Sequence, residues 1–222
     1  MLKLHLWNLG KYNEGELVGG SIKLPVSEKK LNNFLKQVVG LNGEYEEYMI
    51  SDYETDLQYS PFEFENIYML NTLARISENI QDLEKINSYI DTQANLRITE
   101  IMNIILQEEK IPYYTYGFEG IENCRYMDKE EKYGYSIAEA TGITDLLDNH
   151  NISDYFDFKR YGEVCCSLDC VELYDNGYVD LNEEIDLSFY SEDEIKEIEK
   201  EMVAKSNIRE NEKEIFNDLE VW

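Results

Sequence analysis

The chain has little of what most enzyme chemistry relies on at neutral pH. It holds two histidines, His5 and His150, and histidine is the only side chain whose ordinary pKa falls between pH 5 and 8. His5 alternates with leucines and reads as structural, and His150, in DNHN, reads as a surface loop residue. No HExxH, GxxxxGK[ST], GxSxG or GxGxxG pattern occurs. The cysteines Cys124, Cys165, Cys166 and Cys170 are too few and wrongly spaced for a zinc site of paired CxxC motifs. They suit a reducing compartment without a disulfide framework, and the clustered three read as small buried hydrophobes on a strand. The segment 175–184, DNGYVDLNEE, does not match an EF-hand loop. The sequence therefore assigns no catalytic residue, no metal site and no cofactor. No apolar run approaches the ~20 residues of a membrane span, and the start of the chain is too short for a signal peptide, so a cytoplasmic protein is expected. With three prolines and no Gly/Ser linker, the parts of the chain are expected to pack together. A basic groove is missing too: outside Lys29–Lys30, the only adjacent basic pair is Lys159–Arg160. Direct DNA binding is disfavoured on that ground.

What is abundant is negative charge. Asp and Glu number 47 against 20 Lys and Arg, a formal charge of -27 over 222 residues, with 18 tyrosines. Such an excess opposes compaction by self-repulsion. With 43% hydrophobic and 13% aromatic residues, the chain is nevertheless expected to fold. Duplex DNA carries one negative charge per ~1.7 Å of axis, so one copy of the chain matches roughly 46 Å of duplex, about 13 base pairs. The acid grows toward the C-terminus: 9 acidic against 6 basic residues over 1–60, 15 against 5 over 111–180.

Patterning predicts an α+β chain. Leu2, Leu4 and Leu6 alternate with Lys3, His5 and Trp7 as a strand, NLGKYNEG turns, and a second strand covers 16–24. Pro25 ends it, Ser27 caps a helix with Leu31, Phe34, Leu35 and Val38 on one face, and Gly40 closes that helix. Residues 45–54 form a third strand. Residues 62–110 carry helical periodicity for two or three helices, stopped by Pro112. Beyond it come a strand or loop over 111–120, a helix over 130–141 ending at Gly142, and short helices over 143–148 and 151–158. VCCSLDCVEL and GYVDL then make a hairpin about YDNG. A final helix opens on the capping box Ser191–Glu194, and its Glu194, Glu197 and Glu201 among Lys196, Lys200 and Lys205 read as a solvated face. The expected division is an α+β subdomain over 1–60, a helical subdomain over 61–110, an acidic α/β subdomain over 111–181 and an acidic helical extension over 182–222.

NLGKYNEGELVG (8–19) followed by GEYEEYMISDYE (43–54) resembles the N-terminal part of the ArdA antirestriction proteins. YSIAEATGITDLLDNHNISDYFDFKRYG (135–162) and the strand pair ending in DNGYVDL (175–181) resemble that family's C-terminal part. The resemblance implies an elongated dimer of three small subdomains that copies the shape and charge of bent B-form DNA. It implies a protein of mobile elements that occupies the DNA groove of type I restriction–modification enzymes, without catalysis. Residues 111–130 look like an altered connection, and 182–222 extend past the family's usual end. These departures leave two further targets open: the channel of a Cas effector, which would make the chain an anti-CRISPR inhibitor, and a basic nucleoid protein bound by an acidic adaptor.

Under mimicry, exposed carboxylates stand in for phosphates. The candidates are Glu44, Glu46, Glu47, Asp52 and Glu54 in the first part. In the later part they are Glu139, Asp145, Asp148, Asp154, Asp157, Glu163, Asp169, Glu172 and Asp175. Tyr45, Tyr48, Tyr53, Tyr155 and Tyr161 either pack within the subdomains or supply contact area to a partner.

Overall fold

The computed structural model describes residues 1–117 and 126–219, with side chains through residue 205. Cys124 and part of the 111–130 connection lie outside the described residues. The first elements are β1 (Leu2–Asn8), α1 (Leu9–Asn13), β2 (Gly19–Leu24), α2 (Glu28–Gln37), β3 (Tyr48–Thr55), α3 (Ile67–Ser77), α4 (Leu83–Asp91) and α5 (Ile98–Leu106). After them come β4 (Tyr113–Thr115), α6 (Lys129–Ala140), α7 (Ile143–Asn149), α8 (Phe158–Asp169), β5 (Val171–Leu173), β6 (Gly177–Asp180) and α9 (Glu192–Leu219). This is a mixed α+β architecture of two compact units, each discontinuous in sequence. The first takes Met1–Leu83, Asn95–Glu108 and the chain from Leu187 onward; the second takes Glu84–Ala94 and Glu109–Asp186.

In the first unit β1 runs antiparallel between β2 and β3. Strand alternation sends Leu2, Leu4 and Leu6 into the core with Ile22 and Leu24, and Lys3, His5 and Trp7 to the other face. His5 keeps the structural role expected of it, with Nδ1 2.8 Å from Ser21 Oγ and its ring edge-on to Trp7. Buried Asn8 ends β1. Its Oδ1 accepts the Lys11 N–H at 3.0 Å, capping α1 where only a turn was expected, and its Nδ2 donates to the Val39 carbonyl at 3.1 Å. β2 and β3 start at Gly19 and Tyr48, later than the apolar pattern suggested. Ser27 caps α2, which buries Leu31 and Leu35. Val38, expected on the buried face, is exposed and Val39 is buried instead. The helix stops at Gln37, and Gly40 turns the chain with φ +75°.

Helices α3 and α5 pack together in this unit. α3 buries residues around most of its circumference, as an interior helix does. The capping box forms as the spacing implied: Ser191 N–H donates to Glu194 Oε2 at 2.8 Å, and the Glu194 N–H lies 3.5 Å from Ser191 Oγ. The face of α9 holding Glu197 and Lys200 is solvated as expected, and the two pair at 2.6 Å. The other face is not. Ile195 is fully buried, and nearly buried Glu199 accepts from Thr72 Oγ1 at 2.7 Å and pairs with Arg75, which also donates to the Val26 carbonyl. Just before α9, side-chain amides of α5 read the backbone. Asn103 exchanges bonds of 2.7 and 3.0 Å with Tyr190, and Gln107 exchanges two of 2.8 Å with Ser188.

The second unit sets an antiparallel sheet, order β4-β6-β5, beside the helix pair α6 and α8. The hairpin about YDNG forms, with the Tyr174 N–H donating to the Gly177 carbonyl at 2.8 Å. Its first strand is shorter than expected. VCCSLDCVEL is not a strand: Val164–Asp169 continue α8, and only Val171–Leu173 extend. Asp157 caps that helix through the Arg160 N–H at 2.8 Å. A short apolar run fits helical and strand periods alike, and the cap decides for the helix. The expected helix over 151–158 is a 3-10 turn, Ser153–Tyr155. The clustered cysteines are correspondingly not core residues: Cys165 and Cys166 are half-buried, and Cys170 is exposed with φ +51°.

α6 and α8 meet backbone to backbone. A Cβ on Gly134 would sit 2.0 Å from the Phe158 carbonyl oxygen, and one on Gly162 1.8 Å from that of Glu130. Around this crossing the core is Tyr116, Tyr133 and Leu173, packed by Ile137, Cys165, Cys166, Val171 and Tyr178. Three phenols here reach acceptors: Tyr133 the Asp169 carboxylate at 2.8 Å, Tyr116 the Tyr174 carbonyl at 2.8 Å, and Tyr174 the Ser88 carbonyl at 2.9 Å. From α4, the Glu84 carboxylate accepts from the backbone and side chain of Asn176 at 3.1 and 2.6 Å.

Two outcomes follow from this packing. Gly162→Ala forces a methyl into a backbone and destabilises the protein by about 1–3 kcal/mol or more, read as a lowered denaturant midpoint. Burial raises the Tyr116, Tyr133 and Tyr174 phenols above their ordinary value of 10.0. The folded state therefore keeps them neutral, so their contribution is complete below pH 10 and falls as pH climbs past it. Alkaline titration should show phenolate absorbance for these residues appearing together with unfolding.

Candidate functional site

The candidate site is the acidic surface, and the two units carry it unequally. The second unit holds 21 acidic against 7 basic residues, the first 26 against 13. What its cations do accentuates the imbalance. Lys110, Lys129 and Lys132 donate to the carbonyls of Asp186, Leu173 and Asp175 at 2.9, 3.1 and 2.7 Å. Arg160 pairs with Glu163 at 2.7 Å, and Lys159 with Asp128. Lys159 holds the Asp128 carboxyl below its usual range. These five cations are anchored to the protein's own acceptors.

The candidate carboxylates divide into bonded and unbonded groups. Exposed Glu44, Glu46 and Glu47 lie in the segment leading into β3. Asp52 accepts from the Tyr53 N–H at 2.9 Å, and Glu54 pairs with Lys3 at 2.5 Å. On that face of the sheet, Glu54 stands opposite Lys3 and Lys3 opposite Lys23, so the charge there is mixed. In the second unit, Glu139 is exposed near the end of α6, and Asp145 and Asp148 sit three residues apart on α7, which puts them on neighbouring turns. Asp148 accepts from Ser153, Asp157 caps α8, half-buried Glu163 pairs with Arg160, and Asp169 holds Tyr133. Asp154 lies in the 3-10 turn, and Glu172 and Asp175 on the β5–β6 hairpin. Among the described residues, the side chains of Glu44, Glu46, Glu47, Glu139, Asp145, Asp154, Glu172 and Asp175 make no hydrogen bond or ion pair. They are also exposed.

The tyrosines sort as clearly. Tyr45 bonds Glu14 at 2.8 Å beneath the Lys11 ammonium, and Tyr48 donates to the Glu65 carbonyl at 3.0 Å. Tyr53 bonds Ser60 at 2.7 Å, and Tyr161 packs edge-on to Phe156. Tyr155 is 87% exposed. The sequence reading missed the carboxylates of Glu84 and Glu199, which hold the fold. Only their places opposite Asn176 and Arg75 distinguish them from solvated neighbours, and no local pattern encodes those places.

Among the described residues, no group of three or more His, Cys, Asp and Glu side chains is placed to hold a metal ion, and no helix is long and apolar enough to cross a membrane. The arrangement can present fixed negative charge to a cationic surface. The bonded and unbonded groups should behave differently in folding. Asp157→Ala removes a helix cap and costs about 1 kcal/mol, whereas Glu172→Gln leaves stability within about 0.5 kcal/mol. Chemical denaturation of the two variants checks the contrast.

Residues 5–180 match the family model described as "Antirestriction protein (ArdA)". No curated protein matches the chain. The family match ends at the last residue of β6, before the segment that leads into α9.

Proposed function

The chain belongs to the ArdA antirestriction family, and from that premise we propose that it blocks a type I restriction–modification enzyme by filling its DNA groove with unbonded carboxylates. Its function as an antirestriction DNA mimic that inhibits a host restriction–modification enzyme follows from the family match. Inhibition of this kind is occupancy rather than turnover. The type of enzyme, the contacting residues and the assembly state belong to the proposal. So does the finer architecture: an elongated chain of three small subdomains, 1–60, 61–110 and 111–181, with the helical extension 182–222, acting as a homodimer.

The observation that carries the reading is the asymmetry between anchored cations and unbonded anions in the second unit. A solvated acidic surface of ordinary kind interleaves both signs. Among the described residues of this unit, five cations are tied to internal acceptors while five exposed carboxylates are left unbonded, so the unbonded charge is negative, as on a phosphate backbone. We assign the main phosphate-like role to Glu139, Asp145, Asp154, Glu172 and Asp175, with Glu44, Glu46 and Glu47 as a second group. Asp52, Glu54, Asp148, Asp157, Glu163 and Asp169 contribute charge while bonded within the protein.

The test is competition between the protein and duplex DNA for a purified type I enzyme, with a Cas effector and a basic nucleoid protein as parallel arms. Exposed pairs are worth about 0–1 kcal/mol each, so amide substitution across Glu139, Asp145, Asp154, Glu172 and Asp175 should weaken inhibition gradually. Higher salt should weaken it as well. Loss of all inhibition from one conservative change, or affinity independent of salt, would contradict the mechanism.

A further inference from the structure

We propose that the hairpin formed by α7 and the 3-10 turn after it is an apolar anchor within the acidic surface, with Tyr155 as its principal contact. The proposal deepens the mimicry reading and rests on it. The anchor would enter an apolar recess in the target's cationic DNA cleft.

Leu146, Ile152 and Tyr155 are 60%, 45% and 87% exposed within ten residues. The backbone that presents them is tightly tied. The Ile152 N–H donates to the Leu147 carbonyl at 3.0 Å, the Asn151 N–H to that of Asp148 at 3.0 Å, and the Tyr155 N–H to that of Ile152 at 3.0 Å. Ser153 bonds the Asp148 carboxylate, and Asn151 takes a left-handed turn with φ +54°. Immediately after it, Phe156 packs edge-on against Phe158 and Tyr161 at 4.8 and 5.6 Å, and Phe158 meets Tyr135 at 5.1 Å. The hairpin is thus a firm mount holding apolar groups in water. Four of the five tyrosines singled out in the sequence are accounted for by internal packing or hydrogen bonds, and Tyr155 is the one turned outward.

Charge selects the occupant. Asp145 and Asp154 on the same hairpin are unbonded among the described residues. Isologous pairing of two copies over this face would set Asp145, Asp148 and Asp154 near their own duplicates, at a cost in repulsion. A cationic cleft meets the same groups with attraction and can receive the aromatic ring. Tyrosine is enriched among the few residues that dominate interface energetics. Fixed charge gives steering and salt dependence, while burial of a ring adds affinity that salt does not screen.

The experiment measures the affinity of the full-length protein for a purified type I restriction–modification complex over a range of salt, with duplex DNA as competitor. Tyr155→Ser should weaken binding by about fivefold or more without changing the slope of log affinity against log salt. Tyr155→Phe should restore affinity, and Leu146→Ser should weaken it in the same salt-independent way. Asp145→Asn with Asp154→Asn should instead flatten the slope. Because these side chains are exposed, denaturant midpoints of the variants should equal that of the parent. Unchanged affinity of Tyr155→Ser overturns the anchor while leaving mimicry intact. A change of oligomeric state in that variant, seen by light scattering, overturns it in favour of self-contact. Failure of the parent protein to compete with DNA removes mimicry and the anchor together.

Discussion

An excess of 27 negative charges has to be held in one folded chain against its own repulsion, and most of the notable contacts answer that constraint. A small hydrophobic core gains little margin, so polar groups brought inside cannot be left unmatched. In the second unit the phenols of Tyr116, Tyr133 and Tyr174 bring apolar rings into the interior and end on carbonyls or a carboxylate. Lys129 and Lys132 reach the carbonyls of Leu173 and Asp175, so positive charge braces the hairpin. Gly134 and Gly162 let two helices touch where any side chain would hold them apart.

The same arrangement explains how acids can be plentiful and yet different in effect. Asp157 and Asp169 are tied into a helix cap and a buried phenol, and their replacement acts first on folding. Glu139, Glu172 and Asp175 project from elements already secured by other contacts, so their charge is available to a partner. The groups that keep the shape are thereby distinct from the groups whose charge stays unbonded.

Much of this was legible in the residues. Leucine alternation located β1, Ser27 located the start of α2, Gly142 the end of α6, and the Ser191–Glu194 spacing the start of α9. The antirestriction resemblance lay in NLGKYNEGELVG and GEYEEYMISDYE. What failed did so for identifiable reasons. Residues 164–169 carry apolar groups at spacings compatible with either a helix or a strand, and the deciding cap at Asp157 lies outside that run. Val38 and Val39 exchange places because a helix ended one residue earlier than its pattern. Which carboxylates are bonded depends on partners such as Thr72 with Glu199, 127 residues apart, and no local window contains both.

Segments contributed late in the sequence complete the first unit. Ser188 and Tyr190 lie along α5, and Ile195 and Glu199 are seated in the same unit as α3. During synthesis, therefore, β1 to α3 emerge from the ribosome long before the piece that finishes their packing. The nested residues 84–94 and 109–186 are all made before that piece arrives. The packing around α3 and α5 is therefore complete only once residues 188–199 have been translated.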